Sequence, residues 1–286
     1  MRKILTLLIV VIGAAGSLTG CGTARDVTIA KTRIVSLSPT ATETLFAIGA
    51  GSSVIAVDDK SDFPAYAPRQ KGLSGFQPDS AKILAFKPDL VIIANDFTDT
   101  TGVKLTEALQ KKVKVRLAEA PSTLEGVYQQ ITELGDATGY PGGAEDLIAK
   151  MRTQIDDIVS EVKRRPQPPR YYHEIDGQFY TATSQTFVGS IYSLFGLLNI
   201  ADPFDTRGNG YPQLKPADIV QADPDLIYLA DSTCCNQSAG SVTARPGWNT
   251  IKAVHNRQVY VLDDAVASRW GPRVVDLTRA IAATLK

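Results

Sequence analysis

Two stretches of the chain follow the same pattern: Ala81–Ile93 (AKILAFKPDLVII) and Ala217–Leu229 (ADIVQADPDLIYL). Each pattern predicts a short helical turn, a Pro-Asp corner and a strand of apolar residues. Helices that alternate with strongly apolar strands are typical of a parallel sheet covered on both faces. One such unit in each half of the chain predicts an α/β protein with two similar lobes.

The same alternation continues on both sides of each stretch. In the first half we expect strands at 33–37, 54–57, 90–94 and 113–117 and helices near 44–48, 83–86, 105–111 and 123–138. In the second half we expect strands at 170–174 and 226–229 and helices over 186–195 and 219–222.

The segment 142–165 differs from the rest because its apolar residues recur at helical spacing over its whole length. A helix of this length would be about 36 Å long. It ends where Pro166 begins a proline-rich stretch, since proline cannot continue a helix. A long surface helix of one domain is one interpretation. The fresh alternation after Pro169 favours the other, a helix that joins an N-lobe (33–141) to a C-lobe (166–286).

The first 21 residues have the pattern of an export signal. Arg2 and Lys3 precede an apolar run, Ile4–Ala15, of about 12 residues, whereas a membrane-spanning helix needs about 20. The closing Leu-Thr-Gly-Cys resembles the lipobox of bacterial lipoproteins, which implies that Cys21 is lipidated and anchors the chain on the extracytoplasmic face of the cell membrane. An ordinary signal peptide with an incidental cysteine is the alternative. Residues 22–32 are then a tether.

Composition argues against several functional classes. Lys and Arg total 30 and Asp and Glu total 30, so no strong field favours a nucleic acid partner. No Gly-x-Ser-x-Gly motif, paired-carboxylate motif or glycine-rich phosphate loop is present, and we expect no enzyme. The two histidines lack metal-binding spacing, which argues against a receptor for a bare metal ion.

Two of the three cysteines, Cys234 and Cys235, are adjacent in the chain. Outside the cytoplasm disulfides form and persist, so a vicinal disulfide between them is our hypothesis. Two free thiols are the alternative, and zinc would need further ligands. The pair follows the predicted strand 226–229, and ligands of parallel α/β sheets sit beyond the carboxyl ends of strands. We therefore expect the pair at the rim of a ligand cleft.

Three segments together resemble the helical-backbone substrate-binding proteins of ABC importers, which carry iron-siderophores, haem or cobalamin. They are RIVSLSPTATETLFAIGAGSSVIAVDDKSDFP, KILAFKPDLVI and RPGWNTIKAVHNRQVYVLDD. The pattern is closest to that of the cobalamin-binding members. The resemblance implies a ligand cleft between two lobes joined by one long helix, and a partner permease with its ATPase. It implies no intrinsic cofactor; cobalamin or another corrinoid is the first expected ligand, ferric siderophore the second and haem the third, and we expect a monomer. A sensor lipoprotein of the same fold that takes no part in transport is the alternative function.

The resemblance also implies positions for ligand contacts. Those that match the family pattern are Phe76, Asn95, Tyr180, Tyr211 and Arg269, although Asn95 stands where cobalamin receptors have tryptophan.

The residues themselves add further candidates for the cleft. Phe97 follows a strand, Trp270 gives a flat face beside Arg269, and His173 ends a strand near the expected cleft mouth. A hydrogen-bonded histidine at a strand end is the alternative for His173. Basic side chains that can meet anionic ligand groups are Lys60, Arg207, Arg269 and Arg273, with a surface role as the alternative.

Acidic residues for docking on a permease are less clearly marked. The glutamates that serve this purpose in the family fall at Ala81 and Ala217 here. Asp79 and Asp218 lie close to those positions, and we expect them to take that role.

Overall fold

The computed structural model describes residues 31–94 and 106–286. The predicted signal segment 1–21, with Cys21, lies outside the described residues, as does the tether up to residue 30. Within the described ranges, no helix has both the length and the apolar character needed to cross a membrane.

The N-lobe is built on a four-stranded parallel sheet with the order β2-β1-β3-β4. Its strands are β1 (Ile34–Leu37), β2 (Val54–Val57), β3 (Leu90–Ala94) and β4 (Lys114–Ala118). The strands β1 (IVSL) and β3 (LVIIA) are mostly apolar and almost fully buried, as expected for the central strands of a covered parallel sheet. Their register pairs Ile34 with Leu90 and Leu37 with Ile93.

Side-chain caps fix the beginnings of the N-lobe helices. These helices are α1 (Pro39–Ala47), α2 (Ser80–Ala85) and α3 (Leu124–Thr138). Ser38, Asp79 and Thr123 stand at their N-caps, and each side chain accepts a hydrogen bond from a first-turn amide. Of the helix expected near 105–111, the described residues 106–110 are helical.

One long helix, α4 (Pro141–Ser160), connects the two sheets. It has 20 residues, about 30 Å, so the prediction of 142–165 was wrong at its end by five residues. Three basic residues, Lys163–Arg165, precede Pro166, and a residue before proline disfavours the helical backbone. The apolar stripe of α4 packs on α3 through Met151 and Ile155, which are 1% and 3% exposed.

The C-lobe repeats the strand order of the N-lobe. Its sheet is β6-β5-β7-β8, all parallel, formed by β5 (Arg170–Glu174), β6 (Leu198–Asn199), β7 (Leu226–Leu229) and β8 (Val259–Val261). Its helices are α5 (Phe187–Leu194), α6 (Pro216–Ala222), α7 (Ser232–Cys235), α8 (Ala239–Thr243), α9 (Lys252–His255), α10 (Asp264–Ser268) and α11 (Val274–Ala283). The predicted pair of similar α/β lobes is confirmed.

The largest apolar cluster extends through both lobes and the long helix, and each lobe has a further cluster of its own. The largest cluster includes Leu45 of the N-lobe, Met151 of α4 and Tyr192 and Leu277 of the C-lobe, all nearly or fully buried. The C-terminal helix α11 packs on α4 and α5, and α3 also contacts α5. Because this core reaches across both lobes, separating the lobes would expose apolar surface to water.

The close seat of α4 on the N-lobe can be tested at Gly143. A Cβ on Gly143 would lie 2.1 Å from the backbone oxygen of Ile48, whereas a Cβ on the neighbouring Gly142 meets nothing within 4 Å. We expect Gly143→Ala to lower the free energy of unfolding by about 2 kcal/mol or more. Gly142→Ala, the matched control, should raise it by about 0.5 kcal/mol because alanine favours the helix.

The measurement is urea denaturation of both variants followed by circular dichroism. Equal stability of the two variants would show that α4 does not dock on Ile48 in this way.

Candidate functional site: the cleft between the lobes

A cavity of about 590 Å³ lies between the two lobes, and we call it the cleft cavity. Its lining residues are Leu37, Ser38, Pro39, Thr40, Asp58, Lys60, Gly75, Phe76 and Ala94 of the N-lobe and Cys234, Ser268, Arg269 and Trp270 of the C-lobe. Its volume is typical of a site for a small molecule. Leu37 and Ala94 end the adjacent strands β1 and β3, the place where doubly wound sheets bind ligands.

The floor of the cleft cavity is the turn from β1 into α1. Ser38 at the N-cap accepts a hydrogen bond from the amide of Ala41 at 3.3 Å. Asp58 is buried below, where its Oδ1 accepts from the amide of Ser61 at 2.9 Å. Burial raises the pKa of Asp58, although its bonds to Ser61 oppose the shift. The floor therefore carries polar groups that are already satisfied within the protein.

Phe76 lies in the N-lobe wall and is 69% exposed, so its ring is available to a bound molecule. The loop that carries it is held by Ser74, whose hydroxyl accepts from the amides of Phe76 and Gln77 at 3.2 and 3.1 Å. Gly75 allows the loop to press on the floor. A Cβ there would lie 2.7 Å from Asp58 Oδ2 and 2.9 Å from the backbone oxygen of Leu37.

Arg269 crosses from the C-lobe to the N-lobe. Its guanidinium donates to Glu43 at 2.8 Å, to Asp62 at 2.7 Å and to the backbone oxygen of Lys60 at 3.1 Å. Burial alone would raise the pKa of Asp62, but the hydrogen bond and charge of Arg269 outweigh it and lower that pKa. The expected cleft position of Arg269 agrees with the structure, although its donors are engaged by the protein.

Glu43 is the centre of this contact and was missed by sequence reasoning. Its carboxylate, 2% exposed in α1, also accepts from Arg273 at 2.6 and 3.0 Å. The Arg273 guanidinium in turn lies 4.7 Å from the ring centre of Phe63. One signal was available: Glu43 is the only charged residue of the helix PTATETLFA. We call Glu43, Asp62, Arg269 and Arg273 the interlobe charge cluster.

The paired cysteines lie in α7, directly beyond β7. Their sulfur atoms are bonded to each other, and Cys234 is exposed and lines the cleft cavity. The Asp264 carboxylate accepts four hydrogen bonds from the start of this turn. The donors are the Ser232 amide (3.0 Å) and hydroxyl (2.9 Å) and the amides of Thr233 (2.9 Å) and Cys234 (3.1 Å). The turn is therefore anchored to α10.

A buried acidic pair lies beside the same turn. Glu174, at the end of β5, is fully buried, and its carboxylate accepts hydrogen bonds from both terminal guanidinium nitrogens of Arg245 at 2.6 Å. Asp231 is also fully buried, and neither carboxylate oxygen has a hydrogen-bond partner among the described residues. Burial, together with the neighbouring charge of Glu174, raises the pKa of Asp231 to about 7.

His173 does not reach the cleft, contrary to the expectation of a ligand contact. Successive side chains of a strand point to opposite faces, and His173 faces the core under α5. Its Nδ1 lies 2.9 Å from the hydroxyl of Tyr192, and the residue is 2% exposed. Burial lowers the pKa of His173 to about 4, so the ring is neutral at pH 7.

Two other expected contacts, Tyr180 and Tyr211, line a separate cavity of about 230 Å³ in the C-lobe together with Arg207. Tyr180 pairs with Gln213 through an isolated bridge, which holds the two tyrosine loops together. The structure thus groups Phe76, Arg269 and Trp270 in one cavity and the two tyrosines in another. Asn95 and Phe97 lie outside the described residues.

Asp79 and Asp218 lie at the starts of α2 and α6, Asp79 at the N-cap position and Asp218 within the first turn. Asp79 accepts from the amides of Ala81 and Lys82 at 2.9 and 3.2 Å, and Asp218 accepts from the amide of Lys215 at 3.3 Å. Each carboxylate therefore caps its helix. Their docking role stays a prediction.

A model of the family described as periplasmic binding protein matches residues 34–266, most of the chain. The chain belongs to the periplasmic binding protein family. The groups of acidic, histidine and cysteine side chains in the described part of this periplasmic binding protein include none suited to hold a metal ion.

Known proteins resemble it along most of its length. It is 26% identical over 267 residues to an uncharacterized ABC transporter substrate-binding lipoprotein of Bacillus subtilis, covering 91% of this chain and 82% of that one. It is 29% identical over 255 residues to a cobalamin-binding protein of Halobacterium salinarum, covering 85% and 66% respectively. Its fold matches that of a haem-binding protein of Roseiflexus with a TM-score of 0.73, 24% identity and coverage of 89% and 98%.

The interlobe charge cluster of this periplasmic binding protein should contribute strongly to stability. Glu43→Gln keeps the side-chain shape but removes the buried carboxylate that two guanidinium groups share, leaving Arg269 with Asp62 alone and Arg273 without its ion-pair partner, and we expect a loss of roughly 3 kcal/mol in the free energy of unfolding. The matched control is Glu125→Gln, which breaks an exposed ion pair with Arg152 and should change stability by less than about 1 kcal/mol. Chemical denaturation measures both, and similar small losses would contradict the role assigned to Glu43.

The raised pKa of Asp231 leads to a prediction about how stability depends on pH. Because folding raises its pKa, the folded chain holds this proton more tightly than the unfolded chain does. The contribution of Asp231 to the free energy of unfolding is fully present below about pH 4. It is lost as pH rises towards 7, by at most about 1.4 kcal/mol per pH unit. Asp231→Asn should therefore become more stable relative to the parent protein across this window.

The control is Asp146→Asn, which removes an exposed carboxylate from α4. His173 has the opposite effect, since its lowered pKa destabilises the folded chain below about pH 6.5, but it is common to all three proteins. Denaturation from pH 4 to 8 gives the difference between variants. A difference that does not vary with pH for Asp231→Asn would show that this carboxyl is ionised throughout.

Proposed function

We propose that this periplasmic binding protein captures a corrinoid, cobalamin first, in the cleft cavity and delivers it to an ABC permease and its ATPase. The observation that carries the proposal is the cavity itself, at the carboxyl ends of β1 and β3, with an aromatic ring from each lobe in its wall. Phe76 and Trp270 offer flat apolar faces to a large ring system. The cobalamin-binding relative of Halobacterium salinarum supports the same ligand class.

The chemistry of the wall favours a corrinoid over haem. Haem iron is normally held in proteins by histidine, tyrosine, methionine or a cysteine thiolate. Among the described lining residues of the cleft cavity the sole side chain of these types is Cys234, whose sulfur is bonded to Cys235. Haem is the second candidate ligand. The experiment below includes it because the chain shares its fold with the haem-binding protein of Roseiflexus.

The charges of the wall favour a corrinoid over an anionic ferric siderophore. Arg269 is already bonded to Glu43 and Asp62, which leaves Lys60 as the other basic side chain in the described wall. Cobalamin presents amide groups that need hydrogen bonds rather than several cations. The side chains of Thr40 and Lys60, which also line the cavity, suit such contacts.

Membrane attachment is part of the same proposal. Lipid on Cys21 would hold the protein close to its permease, and the lipoprotein relative of Bacillus subtilis supports this arrangement. Asp79 and Asp218, one near the start of a helix in each lobe, are the residues that we propose to contact the permease.

The test is calorimetric and visible-absorbance titration of the protein with cobalamin, haemin and a ferric siderophore. We expect cobalamin to bind most tightly. Phe76→Ala should weaken this binding about tenfold, because a ring contact worth about 1.4 kcal/mol is lost. The control is Leu198→Ala, which truncates an exposed side chain of β6 paired with the first residue of β5, away from the strand ends that form the cleft.

Failure of all three ligands to bind below about 100 µM, roughly −5.5 kcal/mol, would contradict the proposed function. Tighter binding of haemin than of cobalamin would move the assignment to the second candidate.

A further inference from the structure

The disulfide lies in the wall that a ligand would touch. Cys234 lines the same cavity as Phe76 and Trp270 and is exposed, and Cys235 is half-buried beside it. A disulfide sulfur is open to attack by a thiolate where it is accessible to solvent. Cys234 is therefore placed both to contact a ligand in the cleft cavity and to react with a thiol from solvent.

The backbone of this turn is held independently of the disulfide. Asp264 accepts four hydrogen bonds from Ser232 to Cys234, and the backbone oxygen of Asp231 accepts from the amide of Cys235 at 3.1 Å. Breaking the sulfur–sulfur bond would leave these contacts in place. What would change is the direction of two side chains, because neighbouring residues in a helical turn point about 100° apart unless a bond joins them.

We propose that Cys234–Cys235 is a thiol-responsive site whose redox state sets the affinity of the cleft. A thiolate attacks Cys234 Sγ, the bond to Cys235 breaks, and Cys235 leaves as a thiolate that takes a proton from water. A second thiolate attacks the resulting mixed disulfide, releasing Cys234 as a thiol and the small molecule as its own disulfide. Two electrons pass from the external thiols to the protein.

The coupling to ligand affinity follows from geometry and linkage, and it rests on the proposed function. In the oxidised state the joined sulfurs form a compact apolar part of the wall. In the reduced state two separate thiols replace it, and the shape and polarity of the wall change. If reduction weakens ligand binding by some factor, bound ligand opposes reduction by the same factor.

The experiment uses the full-length protein, purified from membranes in mild detergent without reductant. Free thiols are counted after denaturation: the oxidised pair gives none, a lipidated Cys21 gives none, and an unmodified Cys21 gives one. Glutathione is then added with and without cobalamin. Acid-quenched peptide mass spectrometry should find the first glutathione adduct on Cys234, and saturating cobalamin should slow its formation about tenfold.

Affinity is measured on protein that has been reduced with dithiothreitol and desalted under argon. We expect the reduced protein to bind cobalamin about tenfold more weakly than the oxidised protein. The control is the double variant Cys234→Ser with Cys235→Ser, taken through the same steps. Its affinity should not change on treatment, which separates an effect of the disulfide from any reaction between thiol and cobalamin.

The outcomes are distinct. Two further thiols in the untreated protein, first attack at Cys235, or equal cobalamin affinity of the oxidised and reduced forms would each overturn this inference while the proposed function stands. Absence of cobalamin binding in every form would overturn the proposed function for this ligand and the coupling with it. If reduction weakens cobalamin binding in the parent protein and has no such effect in the double variant, the result supports both the proposed function and this inference.

Discussion

The buried carboxylate of Glu43 fixes the geometry on which the cleft depends. A buried charge is strongly unfavourable unless partners surround it, and both partners of Glu43 come from the far end of the chain. The segment from Arg269 to Arg273 must therefore return to α1. This return places Trp270 in the cleft wall and starts α11 where it can pack on the long helix. Charge pairing thus holds the C-lobe segment that carries Trp270 against the N-lobe.

The two lobes share a strand order but present different chemistry to the cleft. The N-lobe contributes the carboxyl ends of β1 and β3, a helix N-terminus and the exposed ring of Phe76. The C-lobe contributes the cysteine turn beyond β7 and the segment that carries Trp270. Two lobes with the same strand order therefore enclose a cavity whose two walls differ in chemistry. Such a cavity suits the recognition of an asymmetric molecule.

Much of this architecture could be predicted from the sequence because local patterns determine it. Apolar runs identified β3 and β7 to the residue, and proximity to a strand end placed Cys234 at the cleft. Glu43 could not be placed in this way, since its partner Arg269 is 226 positions along the chain. His173 was placed wrongly because a strand end alone does not tell which face a side chain takes. The end of α4 was misplaced since the apolar pattern continues beyond the last helical turn.

Arg269, which lines the cleft cavity, is neutralised by Glu43 and Asp62 before any ligand arrives, and this bears on what the cleft selects. Arg269 and Arg273 are engaged by Glu43 and Asp62, and Glu174 is engaged by Arg245. A multiply charged ligand would have to compete with these short contacts and would leave buried partners unpaired. A large, nearly neutral ligand with flat apolar faces and peripheral amides avoids that competition, since it needs only the exposed rings and the polar floor. Its selectivity would then rest on the shape of the wall, to which Cys234, bonded to Cys235, contributes directly.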